Sequence, residues 1–214
     1  MSRQPSVVVL GLLRHGTTDW NREGRLQGRV ERSLDPAEEA RLRAAMLPVL
    51  PRFDAVRVSP LQRARQTAAA LAIGIAGWPG AVPDEGLLEM DWGEWEGCRP
   101  ADLRADPRSG FAAAEALGLD LLPPGGESPR MVQRRLAGWL ATLDRPTLAV
   151  THKGVIRALL AMAHDWPMLG RAPAKLDWQA LHAMLVVDGR PRPWCYNLPL
   201  GAAPDPAGDG PGPA

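Results

Sequence analysis

The sequence predicts an α/β fold with a largely parallel central sheet. Short apolar runs typical of buried strands alternate with segments of helical periodicity, and this alternation is typical of parallel sheets. The length adds to the prediction, because 214 residues with 45% hydrophobic and 23% charged residues suffice for one domain with an apolar core.

The first part of the chain predicts two strands and two helices. Val7–Leu13 is a continuous, β-branched apolar run, as expected of a strand buried on both faces. An acidic cap and a proline predict that a helix begins at Asp35-Pro36, and apolar residues at helical spacing extend it to Leu50, before Pro51. A strand at Ala55–Val58 and an alanine-rich helix over Pro60–Ala76 follow.

The second part of the chain begins with an irregular stretch and then returns to alternation. Gly77–Pro124 scatters tryptophan, proline and glycine among short helical pieces. Ser128-Pro129 predicts the start of a helix with an apolar stripe through Leu143. A strand at Thr147–Val150, a helix at Gly154–Ala163 and a last strand at Met184–Val187 complete the pattern.

Composition excludes several classes of protein. Val7–Leu13, the longest apolar run, is far shorter than the roughly 20 residues of a membrane span, and no secretory leader pattern is present. Cys98 and Cys195 are too few for a disulfide framework or a cysteine-rich metal site. The net charge of +1 provides no general attraction to nucleic acid or acidic membranes. We therefore expect a cytoplasmic enzyme or binding protein that has neither nucleic acid nor a membrane as a partner.

Basic and polar residues follow each of the three predicted parallel strands. Arg14-His15 and Asn21 follow the first strand, Arg63 follows the second, and His152-Lys153 follows the third. Ligands of an open α/β sheet bind beyond the carboxyl ends of its strands, so these side chains are expected to converge. Such a cluster of cations would repel itself without an anion, and the helices predicted to start there add N–H donors. The expected ligand is a phosphate.

Six blocks of sequence resemble a known family in their order. Leu13–Asn21, LRHGTTDWN, resembles the signature of the histidine phosphatase superfamily, in its phosphoglycerate-mutase-like branch. Six ordered blocks are a far more specific signal than one Arg-His-Gly tripeptide. The other five blocks are Arg25–Gly28, Ser59–Thr67, Leu88–Gly97, Gly125–Ser128 and Val150–Arg157. The resemblance implies a three-layer sandwich in which helices flank the largely parallel sheet.

The resemblance also implies catalytic roles. His15 would be the nucleophile that attacks phosphorus and forms a phosphohistidine, for which it must be neutral; nearby arginines lower its pKa. Arg14 and Arg63 would hold the phosphoryl oxygens, and His152 would donate a further hydrogen bond to them. Glu89 would be the general acid for the leaving group and then the base for water. No metal ion and no cofactor are implied, since arginine and histidine neutralise the charge.

Two more residues are expected to bind substrate, and two positions depart from the family pattern. Asn21 would donate a hydrogen bond towards the phosphate. Lys153 stands where the family usually has glycine, and we hypothesise that it contacts a second anionic group of the substrate. Thr17 stands where many members carry glutamate, which removes a carboxylate near the pocket.

The assignment of Glu89 depends on its alignment with the family block, because other carboxylates stand close to it in the sequence. Asp91, Glu94 and Glu96 belong to the same block, Leu88–Gly97. Each of these four residues can instead be an ordinary loop carboxylate. The alignment favours Glu89 for the catalytic role.

The leading functional hypothesis is a metal-independent phosphatase that hydrolyses a small phosphomonoester. One alternative is a phosphoglycerate mutase, which must shield its phosphohistidine from water and does so in this family with extra sequence around the pocket. Glu127 follows Glu89 by only 38 positions, which favours hydrolysis. A second alternative is a non-catalytic module that binds a phosphorylated ligand, which would require that a catalytic residue be missing. The identity of the phosphoester stays open.

The blocks and the composition together predict the organisation of the chain. We expect one histidine phosphatase-like domain over residues 1–200, in which the irregular Gly77–Pro124 segment caps the substrate. Gly201–Ala214 contains only Gly, Ala, Pro and Asp and is expected to be disordered. The family resemblance alone suggests a homodimer.

Overall fold

A six-stranded sheet forms the framework of the protein in a computed structural model, which describes residues 6–48, 52–73 and 79–202. The strands in that part of the chain are β1 (Val7–Arg14), β2 (Ala45–Met46), β3 (Ala55–Val58), β4 (Ala81–Pro83), β5 (Thr147–Thr151), β6 (Leu181–Val187), β7 (Arg190–Leu198) and β8 (Gly201–Ala202). The large sheet has the order β4-β3-β5-β1-β6-β7, and β2 pairs with β8 in a separate two-stranded sheet.

The sheet is largely parallel, as predicted. Strands β4, β3, β5 and β1 are parallel, whereas β6 and β7 continue the sheet beyond β1 as antiparallel strands. The central strand β5 is buried along its whole length, which fits its apolar residues Leu148–Val150, and the hydroxyls of its two terminal threonines donate to backbone carbonyl groups. The carboxyl ends of β1, β3 and β5 therefore meet at one edge of the sheet.

Helices cover both faces of this sheet. They are α1 (Asp19–Glu23), α2 (Pro36–Arg43), α3 (Gln62–Ala70), α4 (Pro100–Ala105), α5 (Phe111–Glu115), α6 (Pro129–Leu140) and α7 (Lys153–His164). Successive strand residues face opposite sides, so Leu12 packs in the core with α6 and α7, whereas Leu13 packs with α2 and α3. Among the described residues, no helix combines the length and the apolar character that crossing a membrane requires.

Side-chain caps explain where two of the predicted helices begin. The Asp35 carboxylate accepts hydrogen bonds from the backbone N–H groups of Ala37 and Glu38 at 3.0 and 3.4 Å, immediately before Pro36 in α2. The Ser128 hydroxyl accepts one from the N–H of Met131 at 3.2 Å, at the start of α6. Each cap satisfies donors that have no partner within the helix, so both starts are as predicted.

Three predicted helices are shorter in the structure, and one of them, α6, ends at Leu140 although its predicted apolar stripe runs to Leu143. The helix expected to continue past Leu42 ends at Arg43, because Ala45–Met46 pairs as β2 with the distant strand β8 and so leaves the helical path. Val49, Leu50 and Pro51 lie outside the described residues. The helix predicted over Pro60–Ala76 spans only Gln62–Ala70, and residues 74–78 also lie outside the described part.

Other differences concern strands and the chain terminus. Gly201–Ala202 forms β8, although we expected the disordered tail to begin at Gly201; residues 203–214 are not among those described. Strand β7 was not predicted, because Pro191 and Pro193 disfavour a strand. The prolines are tolerated because β7 is the edge of the sheet. Strand β6 begins at Leu181, three residues before the predicted start at Met184.

Replacement of Leu12 should show how strongly the sheet depends on its buried apolar residues. Leu12 has 0% exposure, so Leu12→Ala is expected to lower the free energy of unfolding by about 2–5 kcal/mol. Leu122 is 53% exposed, and Leu122→Ala is expected to change it by no more than about 0.5 kcal/mol. Urea denaturation followed by circular dichroism measures both. Equal losses in the two variants would contradict the buried position of Leu12.

Candidate active site

The carboxyl ends of the central strands bring the predicted residues together. Arg14 is the last residue of β1 and His15 follows it, Arg63 lies in the first turn of α3, and His152 joins β5 to α7. The imidazole rings of His15 and His152 have centroids 5.0 Å apart. Glu89, which follows a short 3₁₀ turn, accepts a hydrogen bond from the first turn of α7. The convergence expected from the sequence is therefore present.

His15 is held in a neutral state that leaves one ring nitrogen free to react. Its Nδ1 lies 2.7 Å from the carbonyl oxygen of Gly16, and since a carbonyl only accepts, Nδ1 carries the proton. Burial lowers the pKa of His15 well below its usual range, and the charges of Arg14 and Arg63 lower it further. The unprotonated Nε2 is the nitrogen with an available lone pair.

His152 and Arg63 form a buried pair that connects two strand ends. Arg63 Nε donates to His152 Nδ1 at 3.3 Å, so the His152 proton is on Nε2, which donates to Ser59 Oγ at 2.7 Å. The other Arg63 nitrogens donate to the carbonyl oxygens of Val30 at 2.9 Å and Gly28 at 2.7 Å. Burial lowers the pKa of Arg63 to about 10, so the guanidinium stays charged at neutral pH. Burial, followed by the Arg63 charge, holds the pKa of His152 well below its usual range.

Two of the buried side-chain donors that have no hydrogen-bond partner among the described residues lie in the sequence blocks Leu13–Asn21 and Arg25–Gly28. They are Arg14 Nε and Gln27 Nε2. Gln27 Oε1 accepts from Thr18 Oγ1 at 3.1 Å and from Asn21 Nδ2 at 3.3 Å, which fixes the amide so that Nε2 is free. A buried donor without an acceptor is costly, so both N–H groups are available to an acceptor atom of a ligand.

Sequence reasoning gave Gln27 no role, although it lies within one of the recognised blocks, Arg25–Gly28. Asn21, for which we expected direct binding, has other contacts in the structure. Its Oδ1 accepts from the N–H of Thr18 at 3.2 Å, in a capping box at the start of α1, and its Nδ2 donates to Gln27. Asn21 thus orients Gln27.

Glu89 is a buried carboxyl between two backbone donors. Its Oε1 accepts from the N–H of Met90 at 2.8 Å and its Oε2 accepts from the N–H of Gly154 at 3.0 Å. Burial raises the pKa of Glu89, and the two N–H groups partly oppose that effect. Glycine is needed at position 154, because a Cβ atom there would overlap Glu89 Oε1. A carboxyl with a raised pKa can keep a proton at a pH where an exposed glutamate has lost it.

The other acidic side chains of this segment have different surroundings. The Asp91 carboxylate accepts a hydrogen bond from the N–H of Gly93 at 2.8 Å. Glu96 accepts from two backbone N–H groups of the loop after α1, and Glu94 is exposed. Of these four carboxylates, Glu89 is the buried one, and it lies close enough to Arg14 and Arg63 for its charge to affect the pKa of both.

Space for the rest of a ligand lies beside His15. Lys153 Nζ is 5.4 Å from the centroid of the Trp178 ring, and Arg14 Cζ is 6.0 Å from it. Burial lowers the pKa of Lys153, and the nearby charges of Arg14 and Arg157 lower it further. An adjoining cavity has a volume of about 290 Å³. Its lining includes Arg14, His15, Glu38, Arg41, Asp177, Trp178 and Gln179.

The described part of the chain contains no group of three or more His, Cys, Asp or Glu side chains placed to hold a metal ion. The charges of Arg14 and Arg63 lower the pKa of both His15 and His152, and that of Arg135 also lowers the pKa of His152. The site therefore has the donors and cations that a phosphoryl group requires, next to an unprotonated nitrogen and a buried carboxyl.

Comparison with known proteins agrees with this geometry. A family model described as the histidine phosphatase superfamily (branch 1) matches residues 10–197. The chain is 30% identical over 200 residues to a glucosyl-3-phosphoglycerate phosphatase of Mycolicibacterium vanbaalenii, a match that covers 85% of this chain and 87% of that protein. It is 34% identical over 164 residues to a 2,3-bisphosphoglycerate-dependent phosphoglycerate mutase of Methylobacterium sp. (strain 4-46), covering 71% and 78% of the two chains.

A solved structure of a phosphatase shows the same similarity. The chain resembles the native structure of a mycobacterial glucosyl-3-phosphoglycerate phosphatase with a TM-score of 0.70 and 26% sequence identity. That match covers 90% of this chain and 99% of the other.

The buried histidines should make stability depend on pH. His15, His152 and His182 all have a pKa below the usual 6.5, and that of His182 is about 4. Below pH 6.5 the unfolded chain binds protons that the folded chain does not, so the free energy of unfolding should fall on acidification, by at most about 1.4 kcal/mol per pH unit for each histidine. Glu89 has the opposite effect, because its raised pKa lets the folded chain bind a proton that the unfolded chain has lost, but this is one group against three histidines.

Urea denaturation at pH 7.0 and 5.5 tests this expectation. The wild type should be less stable at pH 5.5, and His182→Gln should show a smaller difference between the two conditions, because one of the three histidines is removed. Stability that does not change, or that rises on acidification, would contradict the neutral state of these buried rings.

Proposed function

The chain belongs to the histidine phosphatase superfamily (branch 1) and is a phosphatase, and we propose that it cleaves its phosphomonoester with His15 as nucleophile and Glu89 as proton donor. One observation carries the proposal: a neutral imidazole, that of His15, lies against the ring of His152, and a buried carboxyl with a raised pKa, that of Glu89, is hydrogen-bonded to the first turn of the helix that His152 precedes. Phosphoryl transfer needs both a lone pair and a proton source.

The first step transfers the phosphoryl group to the protein. The lone pair of His15 Nε2 forms a bond to phosphorus, and the bond from phosphorus to the ester oxygen breaks. The electron pair of that bond goes to the leaving oxygen, which takes the proton of Glu89. Arg14 and Arg63 hold the non-bridging oxygens, whose charge must be balanced in the transition state. The products of this step are the free alcohol and a phosphohistidine.

The second step hydrolyses the phosphohistidine. Glu89, now a carboxylate, takes a proton from water, and the water oxygen forms a bond to phosphorus. The bond between phosphorus and Nε2 breaks, and its electron pair returns to His15. Two further groups donate hydrogen bonds to the phosphoryl oxygens. One is the Nε2–H of His152, which donates to Ser59 Oγ before substrate binds, and the other is the Nε2–H of Gln27, which has no partner among the described residues. Asn21 keeps Gln27 in its orientation.

Lys153 adds a second place for negative charge, outside the phosphoryl site. It lies against Trp178 on the side of Arg14, and its lowered pKa reflects burial and the cations around it. We propose that the alcohol part of the substrate carries a carboxylate that Lys153 binds. Relatives named for phosphoglycerate derivatives support this assignment, because glycerate carries a carboxylate.

The proposal extends to partners and location. A net charge of +1 supports a small-molecule substrate rather than nucleic acid, and we propose a cytoplasmic protein. The homodimer expected from the family resemblance stays a prediction, which light scattering of the purified protein can test.

The chemistry of the first step predicts a specific loss in one variant. The wild type should release phosphate from p-nitrophenyl phosphate in the presence of EDTA, and His15→Ala should lose roughly 10³-fold or more, because the nucleophile is gone. His164→Ala is the matched control, since His164 contacts Tyr196 at 3.0 Å outside the site. It should keep its activity. Activity that survives in His15→Ala, or that EDTA removes from the wild type, would contradict the mechanism.

The role of Lys153 can be tested with two substrates that differ in one group. 3-Phosphoglycerate has a carboxylate where glycerol 3-phosphate has a hydroxymethyl group. Lys153→Gln should raise KM about tenfold for the first, in keeping with roughly 1.5 kcal/mol for a hydrogen bond to a charged group, and leave the second unchanged. Lys175→Gln, at the other lysine of the chain, should change neither.

The product of 3-phosphoglycerate also separates hydrolysis from the mutase reaction that some relatives are named for. With bisphosphoglycerate present, a phosphatase releases inorganic phosphate, whereas a mutase forms 2-phosphoglycerate. Formation of 2-phosphoglycerate without release of inorganic phosphate would contradict hydrolysis. In the experiment on Lys153, an equal change in KM of Lys153→Gln for 3-phosphoglycerate and glycerol 3-phosphate would contradict the carboxylate contact.

A further inference from the structure

We propose that Arg135 is a positioning residue for proton donation: it holds the backbone before Glu89 directly and, through its ion pair with Glu127, supports the backbone after Glu89, so that the carboxyl reaches the leaving-group oxygen. The inference rests on the proposed function of Glu89 as proton donor. Arg135 lies on α6, a helix that supplies none of the predicted catalytic side chains. It acts through the backbone of the segment that precedes Glu89.

The contacts of Arg135 fix the turn that leads to Glu89. Its two terminal nitrogens donate to the carbonyl oxygen of Gly86 at 2.7 Å and to that of Leu88 at 2.6 Å. The carbonyl oxygen between them, that of Leu87, accepts from Thr151 Oγ1 at 2.9 Å. Three consecutive carbonyl groups before Glu89 are thus bonded to side chains of α6 and β5. The path of the chain into Glu89 is determined by these bonds.

Glu127 completes the arrangement on the other side of Glu89. Its carboxylate accepts from Arg135 Nε at 3.0 Å and from a terminal nitrogen of Arg135 at 3.3 Å. The backbone N–H of Glu127 donates to the carbonyl oxygen of Asp91 at 2.9 Å. Residues 86–91 are therefore connected at both ends to one ion pair, which is itself largely buried.

This support matters because the carboxyl of Glu89 has only backbone hydrogen bonds to place it. Its partners are the N–H groups of Met90 and Gly154, so a shift of its own main chain would move it relative to His15. A displacement of about 1 Å can cost roughly 100-fold in rate. Arg135 makes four of these contacts from one planar group, which a lysine ammonium with its single nitrogen cannot reproduce.

The dependence on the leaving group distinguishes positioning of the acid from general stabilisation of the fold. An alkyl ester releases a strongly basic alkoxide and needs the proton of Glu89, whereas p-nitrophenolate is a stable anion that leaves without it. The ratio kcat/KM reports the steps up to loss of the alcohol, so it excludes the later hydrolysis of the phosphohistidine. A purely structural defect would lower kcat/KM for both kinds of ester alike.

The experiment compares kcat/KM of Arg135→Lys on two esters. The alkyl ester is 3-phosphoglycerate or glycerol 3-phosphate, whichever the wild type cleaves faster, and the aryl ester is p-nitrophenyl phosphate. We expect Arg135→Lys to lose about tenfold or more on the alkyl ester and less than about threefold on the aryl ester, within the roughly 10²–10⁴-fold that a general acid supplies. Arg134→Lys, the same change at the exposed neighbouring residue, should alter neither value.

Two further variants make every outcome decisive. Glu89→Gln should also lose more kcat/KM on the alkyl ester than on the aryl ester, and its loss should be larger than that of Arg135→Lys. If Glu89→Gln behaves in this way but Arg135→Lys loses kcat/KM equally on both esters, or on neither, only the inference about Arg135 is overturned. If Glu89→Gln is itself unselective, the proposed proton donor and this inference both fail. Should Arg135→Lys not fold, Glu127→Gln replaces it, because it weakens the hold on Arg135 and keeps the carbonyl contacts. An unselective or absent loss there overturns the inference as well.

Discussion

The burial of the Arg63 guanidinium is the constraint on which the rest of the site depends. A charged group with no exposure to solvent is stable only if its donors are satisfied. Arg63 meets this condition for one N–H on each nitrogen, through the carbonyl groups of Gly28 and Val30 and through His152, and its two remaining N–H groups are those that the proposed phosphoryl group would satisfy. These bonds connect the loop that carries Gln27 to the ends of β3 and β5. One side chain therefore holds both the loop that carries Gln27 and the ring of His152.

Burial has opposite effects on the two groups that we propose to react. It lowers the pKa of His15, because the charged form of an imidazole is the protonated one, and the arginines add to the shift. It raises the pKa of Glu89, because the charged form of a carboxyl is the deprotonated one. A single apolar and cationic environment thus gives a free lone pair on one side and a proton source on the other. Burial is therefore the largest cause of both pKa shifts.

Much of the fold could be predicted from local patterns, and the exceptions have a common cause. The strands at Val7, Ala55 and Thr147 and the helix starts at Asp35 and Ser128 depend on nearby residues alone. The region after Arg43 was predicted wrongly as helix, because its pairing with β8 connects residues more than 150 positions apart. Strand β7 was missed since prolines are acceptable only at a sheet edge, and the edge is a property of the whole sheet.

For the site, the sequence by itself determined which residue types follow each strand, and the ordered blocks identified the family and the residues that converge. It could not decide which carboxylate beside the motif is buried, that Asn21 orients Gln27, or that Arg135 supports the backbone around Glu89. These properties depend on contacts between segments that are distant in the chain, and burial and hydrogen-bond partners exist only after those segments pack. Local sequence therefore determined the chemistry that is available, and tertiary packing decided the protonation and position of each group.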